Sequence, residues 1–308
     1  KVPADPLLSI VVTIVDGGPW LRAFLDTTRA FRDAPPLELI VPYDDSVAAG
    51  VEACRADFPE VAFLPLGEIT PGRPITTEAG QHELFDRRRA AGLAAATGDI
   101  IAILEDRGHP DPDWARTVIR LHATTGRNVI GGAIDCKEPV SLLNWAFWVT
   151  DFGRYGLPFD SGPAEWVSDV NVTYSRQALE ATRHLWRDRF HEPVVNWHLI
   201  SLGEELLLSN ELVVNHVRPP VTLARLLPER FHWGRLFGNI RARHFTPMQR
   251  LFYIALSPLI PPSLWLRHGL TQARKGKLGR YLLTLPFIVI LTTAWTLGEV
   301  WGYVTRRP

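Results

Sequence analysis

The chain alternates short unbroken apolar runs with longer amphipathic stretches. Residues 7–15 (LLSIVVTIV), 37–43 (LELIVPY), 61–66 (VAFLPL) and 99–104 (DIIAIL) are strand-length runs that leave no solvent face. They predict strands buried on both sides. Between them, residues 19–31 place Trp20, Leu21, Phe24 and Leu25 on one helical face. Residues 46–58 predict a helix capped by Ser46. Residues 77–97 predict a long helix that Gly98 stops. Beyond the fourth strand, Asp111 is the expected cap and Pro112 the first residue of a helix that turns Trp114, Val118, Ile119 and Leu121 inward. Four strand–helix alternations imply an α/β domain with a mostly parallel, doubly wound sheet.

The pattern loosens over residues 129–215. A strand is expected at 129–134. The segment 141–155 gathers Trp145, Phe147, Trp148, Phe152 and Tyr155 and reads as packed core or as a lip facing an acceptor. Residues 166–175 (WVSDVNVTYS) read as a strand leading into a helix at Arg176. A helix carrying Trp197 and Leu199 precedes a last strand at 211–216.

Three of these strands run straight into acids: Asp16, Asp44 with Asp45, and Glu105 with Asp106. Parallel strands present their carboxyl ends on one edge, where open α/β sheets bind ligands. The acids therefore converge, which predicts a site for a polar ligand, with a metal as a further possibility.

Charge then separates the ends of the chain. After Glu229 the only acid is Glu299, against twelve Lys and Arg residues. Such a segment is suited to an anionic surface. Residues 251–266 carry no charge, lie between Arg250 and Arg267, and contain three prolines. The run is too short to cross a bilayer and predicts a re-entrant or interfacial segment over 250–267. Residues 281–304 hold one charge, Glu299; as a helix of ~36 Å they match a ~30 Å hydrocarbon core with some tilt. Tyr281, Trp301 and Tyr303 suit the two interfaces, and the basic stretch 274–280 predicts a cytoplasmic catalytic side. Two cysteines, Cys54 and Cys136, form no disulfide framework and point to a reducing compartment. No nucleic-acid-binding module is visible.

Several segments, in order, carry a resemblance. They are SIVVTIVD, LELIVPYDDS, RRRAAGLAAATGDIIAILED, PDPDW, DVNVTYSR, the pair His191-Glu192 before a helix, and VVNHVR. Together they resemble the family 2 glycosyltransferases of GT-A fold, of the membrane-anchored bacterial type that builds cell-envelope polysaccharide. The resemblance implies a catalytic domain over 1–229 and a basic membrane-association region over 230–308, with a transmembrane helix at 281–304. It implies an inverting transfer from a nucleotide-diphosphate sugar to a lipid-linked or membrane-proximal acceptor, at the cytoplasmic face of a membrane on a single-span or monotopic anchor. By this resemblance Asp16, Asp44, Asp45 and Arg89 contact the donor. Glu105-Asp106-Arg107 takes the place of the Asp-x-Asp that holds Mg²⁺ or Mn²⁺, with Glu105, Asp106 and His216 as the metal set. Glu192 is the general base. Asp169, Asn171 and Trp197 face the acceptor. The family's Arg-Asn-x-Gly becomes Arg89-Ala90-Ala91-Gly92, and the acid usually closest to the metal becomes Arg107. A guanidinium can neutralise a diphosphate in a metal's place. These departures also motivate a second expectation, a degenerate GT-A domain serving as a membrane-bound nucleotide-sugar-binding or scaffold protein.

Overall fold

In order along the chain the elements are β1 (Leu8–Thr13), α1 (Pro19–Arg29), β2 (Leu37–Tyr43), α2 (Ala48–Arg55), β3 (Val61–Pro65), α3 (Glu78–Ala95), β4 (Ile100–Glu105), β5 (Gly108–Pro110), α4 (Trp114–Thr125) and β6 (Val129–Asp135). There follow α5 (Leu142–Phe152), β7 (Gly162–Ala164), β8 (Asn171–Ser175), α6 (Arg176–Ala181), α7 (Arg183–Trp186), α8 (Glu192–Ser201), β9 (Leu206–His216), α9 (Leu223–Ala242), α10 (Pro247–Leu256), a 3₁₀ turn at Ser257–Leu259, α11 (Ile260–Arg274) and α12 (Leu278–Thr305). This computed structural model describes residues 7–75, 77–242 and 245–305. The chain forms two compact units. One comprises Lys1–Pro71, Glu83–Asp135 and Leu157–Val217; the other comprises Gly72–His82, Cys136–Gly156 and Arg218–Pro308.

The first unit holds a nine-stranded sheet in the order β3-β2-β1-β4-β8-β6-β9-β5, with β7 also on β9. β3, β2, β1 and β4 run parallel, as the alternation predicts, and register Thr13 against Glu105. All six residues of β1 are buried. Beyond β4 the sheet departs from the parallel expectation. β8 lies antiparallel to both β4 and β6, and β5 and β7 are antiparallel to β9. β6 and β9 nevertheless pair in parallel, through the long connection that a parallel pair requires. The result is the expected α/β domain, its sheet parallel on one side of β4 and mixed on the other.

Three local expectations change. Gly98 has no left-handed backbone; a Cβ there would lie 2.6 Å from Ser9 Oγ and 2.7 Å from Leu7 O, so close approach to β1 demands glycine. Ser46 does not cap α2, which begins after Val47; its N–H bonds Asp44 Oδ1 at 2.8 Å. Asp113, not Asp111, occupies the cap position of α4. Gly92 lets α3 lie directly on Val11 and Pro42. That packing fixes the turn of α3 that carries Arg88 and Arg89.

The second unit has its own core, in which Trp145, Phe147 and Trp148 of α5 pack with Leu226, Tyr281, Ile288 and Leu291. The aromatic segment is thus core. α9 and α12 meet at backbone contact: a Cβ on Gly234 or Gly238 would strike the carbonyls of Trp295 or Glu299, and one on Gly298 or Gly302 those of Phe231 or Arg235. Glu299 is buried and pairs with Arg241 of α9 at 3.0 Å, and both bond the Tyr303 hydroxyl.

Candidate active site

The carboxyl edge of β4 delivers Glu105, and α3 lays two arginines across the sheet towards it. Arg88 serves the scaffold. Its Nε donates to Asp44 Oδ2 at 2.8 Å and its Nη1 to the Ile14 carbonyl at 2.9 Å. Burial works against the Asp44 carboxylate, but hydrogen bonds from Ser46 and the charge of Arg88 hold it below its usual range. Asp44 is therefore a buried tie between β2 and α3, whereas its neighbour Asp45 is exposed.

Arg89 is the centre of the site. Its side chain is 3% exposed. It donates to Thr13 Oγ1 at 3.1 Å, and its guanidinium meets Asp169 at 2.9 Å, Glu105 at 3.1 Å and Asp86 at 3.4 Å. One cation thus faces three carboxylates. A fourth acid, Glu192, opens α8 and interacts with both Asp169 and Arg89. Its carboxylate accepts from Asn196 one turn on, and Asn196 Oδ1 accepts the Tyr174 hydroxyl at 2.9 Å. Burial first, and the Asp169 charge second, push Glu192 well above the ordinary carboxyl range. The same two causes push Glu105 up to about 7, against the pull of Arg89 and Arg107. Burial, opposed by backbone hydrogen bonds from Gly17 and Val15, pushes Asp106 up to about 6.

These shifts fix a sign. Between the unfolded carboxyl value of about 4.4 and the folded values, the native state holds more protons than the unfolded chain. Stability is then greatest below the unfolded value and falls as pH rises towards about 7. Glu105→Gln is expected to flatten that fall. Melting temperature measured from pH 5 to pH 8 checks it: an unchanged slope would remove Glu105 from the titrating group.

The sequence-derived metal set is not arranged as one. Both oxygens of Asp106 are taken up by the backbone N–H groups of Val15 at 3.0 Å, Asp16 at 3.1 Å and Gly17 at 2.7 Å, and the residue is fully buried. It moulds the loop after β1. Glu105 is committed to Arg89, and His216 is 6% exposed on β9, in register with Gly108. Among the described residues, no group of three His, Cys, Asp or Glu side chains is placed to hold a metal. Arg107, where the resemblance puts the metal's closest acid, forms a bidentate pair with Asp16 at 2.5 and 2.8 Å. As they stand, these residues do not fit a divalent cation.

Of the acceptor residues, Asn171 is placed elsewhere. It is fully buried, donates to the Ala133 and Leu212 carbonyls at 2.9 Å each, and accepts Trp114 Nε1 at 3.0 Å. It stitches β8 to its neighbours because a buried amide needs each hydrogen bond met internally. Asp169 is in the site. Trp197 is exposed and meets Trp166 edge to face at 5.6 Å, which gives the first unit an open aromatic pair. Asp86, Tyr174 and Asn196 were not singled out from sequence. The i,i+4 spacing of Glu192 and Asn196 was the available signal.

No protein-family model matches the chain, and no curated protein matches it. Among solved structures it is similar to the crystal structure of S. aureus TarS 1-349. The two are 12% identical with a TM-score of 0.48, over 95% of this chain and 90% of that one. The complex of the same protein with UDP-GlcNAc matches with the same values.

Proposed function

We propose that the chain is an inverting glycosyltransferase that moves a sugar from a nucleoside-diphosphate donor to a lipid-linked or membrane-proximal acceptor. The observation that carries this reading is Glu192, a buried carboxyl of raised pKa beside the Asp169–Arg89–Glu105 cluster. A carboxylate that holds its proton tightly is a strong base once ionised. Glu192 would take the proton of the acceptor hydroxyl as that oxygen attacks the anomeric carbon. Asn196 and Tyr174 hold the orientation of its carboxylate. Asp169, part exposed, is the acid available to a sugar hydroxyl. The departing diphosphate requires positive charge. Arg107 is the guanidinium at the end of β4, and exchange of its Asp16 partner for phosphate oxygens would supply that charge by paired, charge-assisted hydrogen bonds.

Calorimetry against a panel of nucleoside-diphosphate sugars, with and without Mn²⁺, tests the reading, together with an assay of donor hydrolysis. Donor binding with slow hydrolysis is the expected result. Binding without any turnover would favour the scaffold reading, and no binding by any donor would overturn both.

A further inference from the structure

α12 is long and apolar enough to cross a membrane. Its packing argues against a crossing. Its contacts with α9 run in the same direction along both helices, Gly234 and Gly298 lying earlier than Gly238 and Gly302. The two helices are therefore parallel neighbours at backbone distance, and α9 must go wherever α12 goes. α9 is not apolar. It carries Arg225, Glu229, Arg230, Arg235 and Arg241. The Arg230 guanidinium sits over the Trp295 ring, 5.6 Å from its centre, and pairs with Asp151 and Glu229; Glu229 also holds Arg218 at 2.8 Å. Four charged groups thus form a network beside α12, and a span would carry them into hydrocarbon. Charges at that depth are costly.

The faces these helices leave open are apolar. Leu251 and Phe252 of α10, Leu266 of α11, and Leu283, Leu297 and Trp301 of α12 are each more than half exposed. α10 has no buried residue at all. Nearby in sequence, Arg267, Arg274 and Arg280 are exposed and, among the described residues, pair with no carboxylate. An apolar face with cations alongside is the pattern of a helix lying in a membrane interface.

We propose that the second unit is a monotopic platform whose α10, α11 and α12 faces embed in one leaflet of an anionic membrane, with α12 held against α9 and not crossing. The proposal stands without the transfer reading, since it rests on no residue of the first unit. Two measurements on the full chain test it. Co-flotation with phosphatidylcholine vesicles, with and without phosphatidylglycerol, should show binding at least 10-fold tighter to the anionic set, as two or more basic side chains each contributing about fivefold near the surface would give. Leu251→Asp with Phe252→Asp should weaken binding about 10-fold with little change in melting temperature, because both side chains are more than half exposed. Equal binding to both vesicle sets, or by both proteins, overturns the proposal, as does no binding at all. For the orientation, single cysteines at Gly279 and Thr305, in a chain with Cys54 and Cys136 changed to Ser, bracket α12. Both should react with an impermeant maleimide added outside sealed vesicles to which the protein has bound. Protection of either one until detergent is added would show a crossing.

Discussion

Glu192→Gln should lower sugar transfer by roughly 10²- to 10⁴-fold, the contribution of a placed general base, and leave donor affinity near that of the parent. The substitution keeps the shape of the side chain and an oxygen for Asn196 to donate to, so the Tyr174–Asn196–Glu192 chain has no reason to collapse. It removes only the capacity to accept a proton. The pH profile of the parent sharpens the test. Glu192 must be ionised to act, and burial followed by the Asp169 charge holds its proton on above the ordinary carboxyl range. Turnover should therefore rise with pH along an acid limb displaced upwards. Asp169→Asn removes a like charge and frees Arg89, both of which favour ionised Glu192, so the limb should move to lower pH. A Glu192→Gln enzyme of normal turnover, or a limb that Asp169→Asn leaves in place, would take the base role away from Glu192.

The half of the fold that was legible in the sequence is the half with one unambiguous period. β1, β4 and most of β2 are buried on both faces and read as unbroken apolar runs, so the edge on which Asp16 and Glu105 emerge followed at once; β3 reads the same way in sequence but lies at the sheet edge, half exposed, because it has a neighbour on one side only. The antiparallel half was not legible in the same way. β5 and β7 are three residues each, too short for any periodicity, and β9 bends through a register shift against β6 between Gly132 and Ala133. Residue types, likewise, announced the site but not its wiring. Asp44, Asp106 and Asn171 have the side chains expected of ligand contacts. Each is consumed by the scaffold: by Arg88, by three backbone amides, and by two carbonyls with Trp114. Which acid faces a ligand and which closes a loop is decided by hydrogen bonds between elements about 90 residues apart, as in Asp106 with the Val15–Gly17 turn, and local pattern does not record them. The placement of Arg107 on Asp16 is of the same kind.

The largest expected loss of stability lies in the second unit, at Gly298. Any side chain there would drive its Cβ into the Phe231 carbonyl, which is backbone and cannot rotate aside. Gly302 meets the Arg235 carbonyl in the same way, and Gly234 and Gly238 present the matching notches on α9. Small residues at such spacing let two helices approach until their backbones touch. Gly298→Leu must push the axes apart and so loosen every contact of the pair at once, including the buried Glu299–Arg241–Tyr303 group. The cost should reach about 3 kcal/mol, the upper end for an overfilled core, read as a fall in melting temperature and as earlier proteolysis between α9 and α12. Gly279→Ala supplies the control. It lies in the first turn of the same helix with nothing within 4 Å of its added Cβ, and there alanine should stabilise slightly by helix propensity. If Gly298→Leu melts with the parent, the interlock does not hold α12 in place, and the reason given for keeping that helix out of a span goes with it. If it melts early while Gly279→Ala does not, the position of the apolar helix is set by the polar helix beside it, more than by its own hydrophobicity.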